Sequence, residues 1–214
     1  MNKIAIISCV WQRPKELEHT LKLLSIQDDL NFDLHLICNN KKWHDLVKEH
    51  TEKDWDILYD VLVKGQFLIT QSGVEVMRKQ GIGGDILNIV SKNALVSGPN
   101  NAAYGSAKAA QLHLSRLNAA ELGKDKIRVN VVNPDAVISD SKIWESGWAE
   151  GRAKAYGVKV EELPVYYAKR TLLNEIILPE DIANACFVFV SGLLNKATGN
   201  VLNIDGGVAM AFLR

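Results

Sequence analysis

The amino-acid sequence predicts an α/β fold, in which a parallel sheet of five strands is covered by helices on both faces. Short apolar runs alternate along the chain with longer segments in which apolar residues recur at helical spacing. Proline and glycine lie at boundaries of these segments, for example Pro14 at the start of one helix and Gly123 at the end of another. Strands that alternate with helices form right-handed crossovers and therefore a parallel sheet.

The individual elements follow from the two apolar patterns, the short runs and the helical spacing. Apolar runs of strand length predict the strands, and Ile4-Ala5-Ile6-Ile7 lies in the first of them. Segments with the apolar period of a helix predict the helices, one of which has Thr51 as its capping residue. The strands are expected at residues 3–9, 33–38, 85–90, 127–132 and 201–204. The helices are expected at 14–27, 51–77, 101–122 and 181–190, and residues 139–175 are expected to be irregular or helical.

The composition excludes several classes of function. The chain has 214 residues, of which 47% are hydrophobic, so it can bury one sizeable core and is not intrinsically disordered. Its 25 Lys and Arg are balanced by 25 Asp and Glu, which argues against a nucleic-acid partner. No apolar run approaches the ~18 residues of a membrane helix, and no signal-peptide pattern is present. The three cysteines are far apart, which is typical of thiols in a reducing cytoplasm, where we expect the protein.

Tyr104 and Lys108 are the first candidates for chemistry. They are four residues apart on a predicted helix and therefore share one of its faces. An ammonium beside a phenol stabilises the phenolate, which makes tyrosine a usable acid or base near neutral pH. Ser91 follows a predicted strand and could hydrogen-bond a carbonyl or alkoxide oxygen. The alternative for the pair alone is a solvated lysine and a half-buried tyrosine, and Ser91 at the strand end favours the functional interpretation.

From residue 51 to residue 214 the sequence resembles the short-chain dehydrogenase/reductase family. The resemblance is carried by Asn-Ile-Val-Ser at 88–91, Tyr-Gly-Ser-Ala-Lys-Ala-Ala at 104–110, Ile-Arg-Val-Asn-Val-Val-Asn-Pro at 127–134, and Thr-Gly-Asn-Val-Leu-Asn-Ile-Asp-Gly-Gly at 198–207. The segment from residues 90–95 through residues 140–144 is most similar to the dehydrogenase part of bifunctional rhamnulose-1-phosphate aldolase/alcohol dehydrogenases. The resemblance implies a Rossmann-like fold. It also implies that Tyr104 is the general acid/base, that Ser91 orients the substrate oxygen, and that Lys108 lowers the pKa of the tyrosine.

The same resemblance implies a coenzyme, NAD or NADP, whose nicotinamide ribose would be bound by Lys108. The loop after Pro134, with Asp135 and Val137, would cover the nicotinamide. Residues 139–175 would form a lid over the substrate. The aromatic residues of this lid are expected to pack on the core rather than to touch substrate; they are Trp144, Trp148, Tyr156, Tyr166 and Tyr167. Members of the family pair through the helices that correspond to residues 51–77 and 101–122, so a homodimer or homotetramer is expected.

The chain departs from the family at several positions. The family's first strand leads into a glycine-rich loop that holds the dinucleotide phosphates, because only glycines let backbone N–H groups approach them closely. This chain has no glycine before Gly65, so the sheet is expected to be truncated on the adenine side and coenzyme binding to be impaired. Leu62 stands where the family has a fourth catalytic residue, an asparagine, and Asp135 stands where it has a glycine. Asn39 could mimic the family's Asn-Asn-Ala-Gly turn.

The first 40 residues resemble the opening of an inverting family 2 glycosyltransferase instead. The resemblance rests on residues 4–17 and 32–40, which form a strand-helix-strand pattern of the kind that binds a nucleotide. We therefore expect a hybrid within one α/β domain of residues 1–214, with a glycosyltransferase-like opening at 1–45 and a dehydrogenase-like body at 46–214. The seam is placed at 40–53, the most polar stretch. No metal site is expected, because Asp54-Trp55-Asp56 lies in a first helical turn, where the helix dipole favours acidic residues.

Three functions remain open from the sequence. The first is an oxidoreductase that acts on a small hydroxyl or carbonyl compound, such as an aldehyde derived from a deoxysugar. The second is a catalytically inactive hybrid with a Rossmann-like fold. The third is a sugar-nucleotide-binding module that uses residues 4–40, which lacks most of the apparatus of a glycosyltransferase.

Overall fold

The computed structural model describes residues 3–9, 32–38, 51–98, 101–138 and 147–212. Within these residues, five strands form one parallel sheet in the order β2-β1-β3-β4-β5. The strands are β1 Lys3–Cys9, β2 Phe32–Cys38, β3 Gly84–Ile89, β4 Ile127–Pro134 and β5 Val201–Ile204. The five expected strands are thus confirmed to within two residues at each end. The expected helix at 14–27 lies outside the described residues.

Helices follow the strands of the later part of the chain. They are α1 Glu52–Leu58, α2 Gly65–Gln80, α3 Ala102–Leu122, α4 Trp148–Tyr156, α5 Leu163–Ala168 and α6 Pro179–Val190. Short 3-10 turns lie at Lys92–Ala94, Gly123–Asp125, Val160–Glu162 and Ala209–Ala211. The helix that was expected to end at Gly123 continues through one of these turns, and Lys126 is the residue that adopts the left-handed conformation, with φ of 58°.

A π-helical turn at Tyr59–Lys64 joins α1 to α2, which the sequence analysis does not predict. Buried residues before, within and after the turn are Leu58, Leu62, Gln66 and Thr70, each four positions after the last. A straight α-helix would rotate such a series steadily away from the core, because it has 3.6 residues per turn. The wider turn keeps the four residues facing the core, and the amide of Gln111 on α3 donates a hydrogen bond of 2.8 Å to the carbonyl of Leu62.

The core lies on both faces of the sheet, and β3 shows this most clearly. Ile86 packs against α2 and α3 in a cluster that includes Met77 and Leu122. Its neighbour Leu87 points to the other face and packs with Phe189 of α6. Strands of a parallel sheet are buried on both faces, which is why these segments read as continuous apolar runs.

The turn from α2 into β3 depends on glycine. Gly81 ends the helix with φ of 71°, and its N–H donates to the carbonyl of Met77 at 3.0 Å. A Cβ at Gly83, which has φ of 79°, would collide with the carbonyl oxygen of Lys126. Across residues 3–9, 32–38, 51–98, 101–138 and 147–212, no helix has both the length and the apolar composition needed to cross a membrane.

Candidate active site

Ser91 lies just beyond the carboxyl end of β3 and is held by its neighbours. Its backbone N–H donates to Oδ1 of Asn133 at 3.0 Å, and its Oγ accepts from the N–H of Asn93 at 3.2 Å. The fully buried Asn133 also donates from Nδ2 to Oδ1 of Asn203 at 3.3 Å. Asn203 in turn donates to the carbonyl of Ala211 at 3.1 Å. The position of Ser91 is therefore tied to the ends of β4 and β5.

Tyr104 and Lys108 lie one turn apart on α3 and point toward this strand end. The hydroxyl of Tyr104 is hydrogen-bonded to the side chain of Ser91. The ammonium nitrogen of Lys108, which is 3% exposed, lies 5.7 Å from the centre of the Tyr104 ring. The structure thus brings together the three residues that the sequence singles out.

The pKa of Tyr104 is raised above its ordinary value of 10.0. Burial is the largest cause, because it disfavours the charged phenolate. The hydrogen bond to Ser91 and the charge of Arg152 lower this pKa, whereas the charge of Asp135 raises it further. The net direction is opposite to the expected lowering by Lys108. The reason is desolvation, since Tyr104 packs against the apolar cluster of Leu58, Leu62, Ala103 and Ala107.

Leu62 belongs to this apolar cluster and is completely buried. Its side chain offers no hydrogen bond at the position where the family has an asparagine. The only polar group that Leu62 presents is its backbone carbonyl, which accepts from Gln111.

A buried ion pair joins Lys92, which directly follows Ser91, to Asp135, whose charge acts on Tyr104. Nζ of Lys92 is 3.0 Å from Oδ1 of Asp135, and each side chain is 6% exposed. Asp135 was expected from the sequence to lie near the nicotinamide, but Lys92 was not considered. The signal in the sequence was a lysine directly after the candidate serine, at the carboxyl end of a strand.

The remaining residues that were expected to hold the coenzyme are only partly described. Pro134 ends β4 and Val137 is buried in the segment that follows it. Asn39 lies outside the described residues. The strand before it, β2, is separated by β1 from β3, the strand that Ser91 follows.

Helices α4 and α5 cover the side of the site beyond β4. The rings of Tyr156 and Tyr166 stack with their centres 4.7 Å apart, and the hydroxyls of Tyr156 and Tyr167 are 3.4 Å apart. These tyrosines pack with Ile138 and Leu163, which confirms the expected packing role for all three. Trp144 lies outside the described residues.

Helix α4 also carries charge toward the site. Arg152 of α4 acts on the pKa of Tyr104, Tyr156 and Tyr167 alike, so it lies near all three phenols. Burial acts to raise the pKa of Tyr156, but the hydrogen bond with Tyr167 and the charges of Arg152 and Arg170 outweigh it, so this pKa is lowered. The pKa of Tyr167 is raised, chiefly by burial.

A small cavity of about 10 Å³, roughly the room of one water molecule, lies between helix α5 and the end of β4. Its walls come from the segment after β4, from α5 and from the segment before α6. Asp135 lines it on the sheet side, and Tyr167 and Ile177 line it on the lid side. Open sheets of this type bind ligands beyond the carboxyl ends of their strands, which is where the cavity lies.

A family model described as enoyl-(acyl carrier protein) reductase matches residues 12–209. The chain belongs to the short-chain dehydrogenase/reductase family. The match to this family begins before the expected seam at 40–53 and continues through it, so the comparisons give no support to a hybrid with a glycosyltransferase-like opening.

Three curated members of the family show the range of similarity. An uncharacterized oxidoreductase, YuxG, of Bacillus subtilis is 45% identical over 166 residues, which are 78% of this chain and 24% of that protein. An uncharacterized oxidoreductase of Thermotoga maritima is 35% identical over 161 residues, or 75% of this chain and 61% of that protein. L-xylulose reductase of Caenorhabditis elegans is 30% identical over 179 residues, or 83% of this chain and 66% of that protein. The chain therefore spans less than two thirds of the length of each.

Solved structures of the family share the Rossmann-like fold of this chain. Sorbitol-6-phosphate 2-dehydrogenase SrlD of Erwinia amylovora has a TM-score of 0.74 and 22% identity, over 93% of this chain and 76% of that one. A short-chain dehydrogenase of Leptospira borgpetersenii with bound NAD+ has a TM-score of 0.68 and 18% identity, over 97% and 93% of the two chains. ElxO with NADP bound has a TM-score of 0.70 and 16% identity, over 98% and 99%.

Proposed function

We propose that this chain is an oxidoreductase that interconverts a small hydroxyl compound and its carbonyl form. The observation that carries the proposal is the hydrogen bond between Tyr104 and Ser91 with the ammonium of Lys108 beside the same phenol. In this reaction the Ser91 hydroxyl orients the substrate oxygen, and Tyr104 donates a proton to it or accepts one from it. A positioned acid or base of this kind contributes about 10²- to 10⁴-fold to a rate.

The raised pKa of Tyr104 bears on the direction of proton transfer. At neutral pH the phenol is protonated, so it is ready to donate a proton to a carbonyl oxygen. In the direction of alcohol oxidation it must first lose that proton, which burial and the charge of Asp135 oppose. Near neutral pH, Tyr104 therefore rests in the protonation state that carbonyl reduction requires.

The coenzyme in this proposal is NAD or NADP, which supplies or accepts the hydride. The described residues fit its nicotinamide end, because the buried Lys108 has hydrogen-bond donors to offer a ribose hydroxyl. The backbone after Pro134 lies at the carboxyl edge of the sheet, where Val137 could contact the nicotinamide. Residues 10–14, which replace the family's glycine-rich loop, lie outside the described residues. Three or four lost backbone hydrogen bonds to phosphate, each worth about 1.5–3 kcal/mol, predict weak coenzyme binding.

The substrate and the assembly in this proposal rest on the resemblance to known families. A sugar-derived aldehyde such as lactaldehyde is the proposed substrate, because the segment from residues 90–95 through 140–144 resembles rhamnulose-linked alcohol dehydrogenases. We also propose one α/β domain for residues 1–214, and the pairing of β1 with β3 supports it. A cytoplasmic homodimer or homotetramer that pairs through α1, α2 and α3 completes the proposal.

The test combines binding and turnover. NADH, NADPH and a uridine diphosphate sugar are titrated separately against the protein, with nucleotide fluorescence or melting temperature as the readout. Saturable binding of NADH or NADPH supports the proposal. So does reduction of a small aldehyde, followed as the loss of reduced-coenzyme absorbance at 340 nm. Binding of no nucleotide favours the inactive fold, for which the lack of glycine before Gly65 is the argument. Binding of the uridine nucleotide alone favours the sugar-nucleotide module.

A pair of variants separates proton transfer from packing. Tyr104→Phe removes only the phenol oxygen, and we expect the turnover number to fall about 10²- to 10⁴-fold. Tyr59→Phe is the matched control, because Tyr59 packs against the same apolar cluster. Equal losses in the two variants would contradict the role proposed for Tyr104.

A further inference from the structure

Neither member of the Lys92–Asp135 ion pair donates or accepts the proton in the reaction proposed above, and Asp135 acts on Tyr104 only through its charge. Both side chains are 6% exposed, and their charged atoms are 3.0 Å apart. Removing two charges from water is unfavourable, and a buried ion pair is weak evidence of stabilisation compared with apolar residues of similar volume. The pair therefore calls for an explanation other than stability.

The position of the pair points to the substrate. Lys92 directly follows Ser91, and Asp135 comes two residues after Asn133, whose Oδ1 accepts from the N–H of Ser91. Asp135 lines the cavity between β4 and the lid, and it is close enough to Tyr104 to raise the pKa of that phenol. A group bound by the pair would thus lie at the same strand ends as an oxygen held by Ser91 and Tyr104.

The chemistry of the pair selects among substrate groups. Lys92 offers only hydrogen-bond donors and Asp135 only acceptors, and together they carry no net charge. A hydroxyl group both donates and accepts, so it can satisfy both partners at once. A carboxylate or phosphate would meet the negative charge of Asp135, and a methyl group would leave two desolvated charges without a further partner.

We propose that Lys92 and Asp135 form a specificity subsite for a hydroxyl group on the carbon next to the reacting carbonyl. The hydroxyl accepts a hydrogen bond from the ammonium and donates one to the carboxylate. This inference rests on the proposed function, and it adds the residues that distinguish a 2-hydroxy aldehyde from a simple aldehyde.

The experiment compares 2-hydroxypropanal with propanal, which differ only in that hydroxyl. The readout is the ratio of kcat/KM for the two aldehydes with NADH and with NADPH. We expect a ratio of about 10 to 100 in the wild type, since a hydrogen bond to a charged group has that effect on a rate. The double variant Lys92→Met/Asp135→Leu brings the ratio close to 1, and the single variant Lys92→Met lowers it. The double variant is included because Lys92→Met alone leaves a buried carboxylate without its partner.

Asp85→Asn is the control, because Asp85 forms a 2.6 Å ion pair with Arg128 at the opposite end of β3 and β4. This variant keeps the wild-type ratio. A wild type that does not distinguish the aldehydes, or a folded double variant that still does, would overturn the subsite.

A second measurement keeps this inference separate from the proposed oxidoreductase. If the wild type turns over neither aldehyde, saturation-transfer NMR compares 1,2-propanediol with 1-propanol as ligands. Contact with the diol that is lost in the double variant would support the subsite while the oxidoreductase proposal fails. Equal contact with both alcohols would overturn the subsite as well.

Discussion

Leu62 provides the sharpest test of how the helix at 52–80 supports the site. It is 0% exposed and packs with Leu58, Ala103 and Ala107, which is the cluster that also holds the Tyr104 ring. Leu62→Ala removes buried methyl groups and leaves a cavity that the short side chains of the alanines cannot fill. Substitutions of this kind lower the free energy of unfolding by about 2.7–5.0 kcal/mol. We expect about 3–4 kcal/mol here, or a fall of roughly 10 °C in Tm for a domain of this size.

The assay is urea unfolding followed by circular dichroism, at two protein concentrations so that any oligomer is detected. The matched control is Leu193→Ala, since Leu193 is 74% exposed and loses little burial. We expect its free energy of unfolding to change by no more than about 0.5 kcal/mol. Equal effects of the two substitutions would refute the packing described for Leu62.

Leu62→Asn extends the same test to the catalytic residue that the family has at this position. The amide would enter an apolar cluster, and a buried polar group without a partner costs about 1–3 kcal/mol in addition to the lost packing. We expect a less stable protein with no gain in turnover. Higher turnover with wild-type stability would show that a proton relay can be restored there.

Three further predictions concern the polar groups around the site. Asp135→Asn removes a charge that raises the pKa of Tyr104, so we expect the pH of half-maximal alcohol oxidation to move down. The measurement is the pH profile of kcat/KM, and an upward shift contradicts this reasoning. Asn133→Ala removes the hydrogen bonds that Asn133 makes to Ser91 after β3 and to Asn203 of β5. We expect the free energy of unfolding to fall by about 1–3 kcal/mol, and an unchanged urea midpoint would argue against it. Tyr167→Phe removes a hydrogen bond that lowers the pKa of Tyr156, so ultraviolet titration should find that pKa raised, and a lowered value would count against the contact.

The strands could be predicted because a parallel sheet buries both faces of each strand. Ile86 and Leu87 pack on opposite faces, so both must be apolar, and the run is visible in the sequence. The three candidate site residues could be predicted for a similar reason. The spacing of Tyr104 and Lys108 is one helical turn, and Ser91 follows a strand.

Other features depend on contacts between distant segments, which no local spacing reveals. The partner of Lys92 comes from the end of another strand, and Asn133 reaches Ser91 in the same way. The direction of the pKa shift at Tyr104 depends on how completely the phenol is buried. The sequence placed a lysine near the phenol but could not weigh that charge against the loss of water.

The π-helical turn at Tyr59–Lys64 has a consequence for length variation in this helix. It sets the rotational phase between α1, which carries Leu58, and α2, which carries Thr70. Each residue of an α-helix advances the chain by about 100°. Deleting a single amino acid within the turn would let it close into a regular α-helix, in which Leu58 and Thr70 stay within about 20° of each other around the axis. Inserting one would add about 100° and turn Leu58 away from α3. We therefore expect insertions between residues 59 and 64 to be less well tolerated than a single deletion, although Asp60 and Lys64 are exposed there.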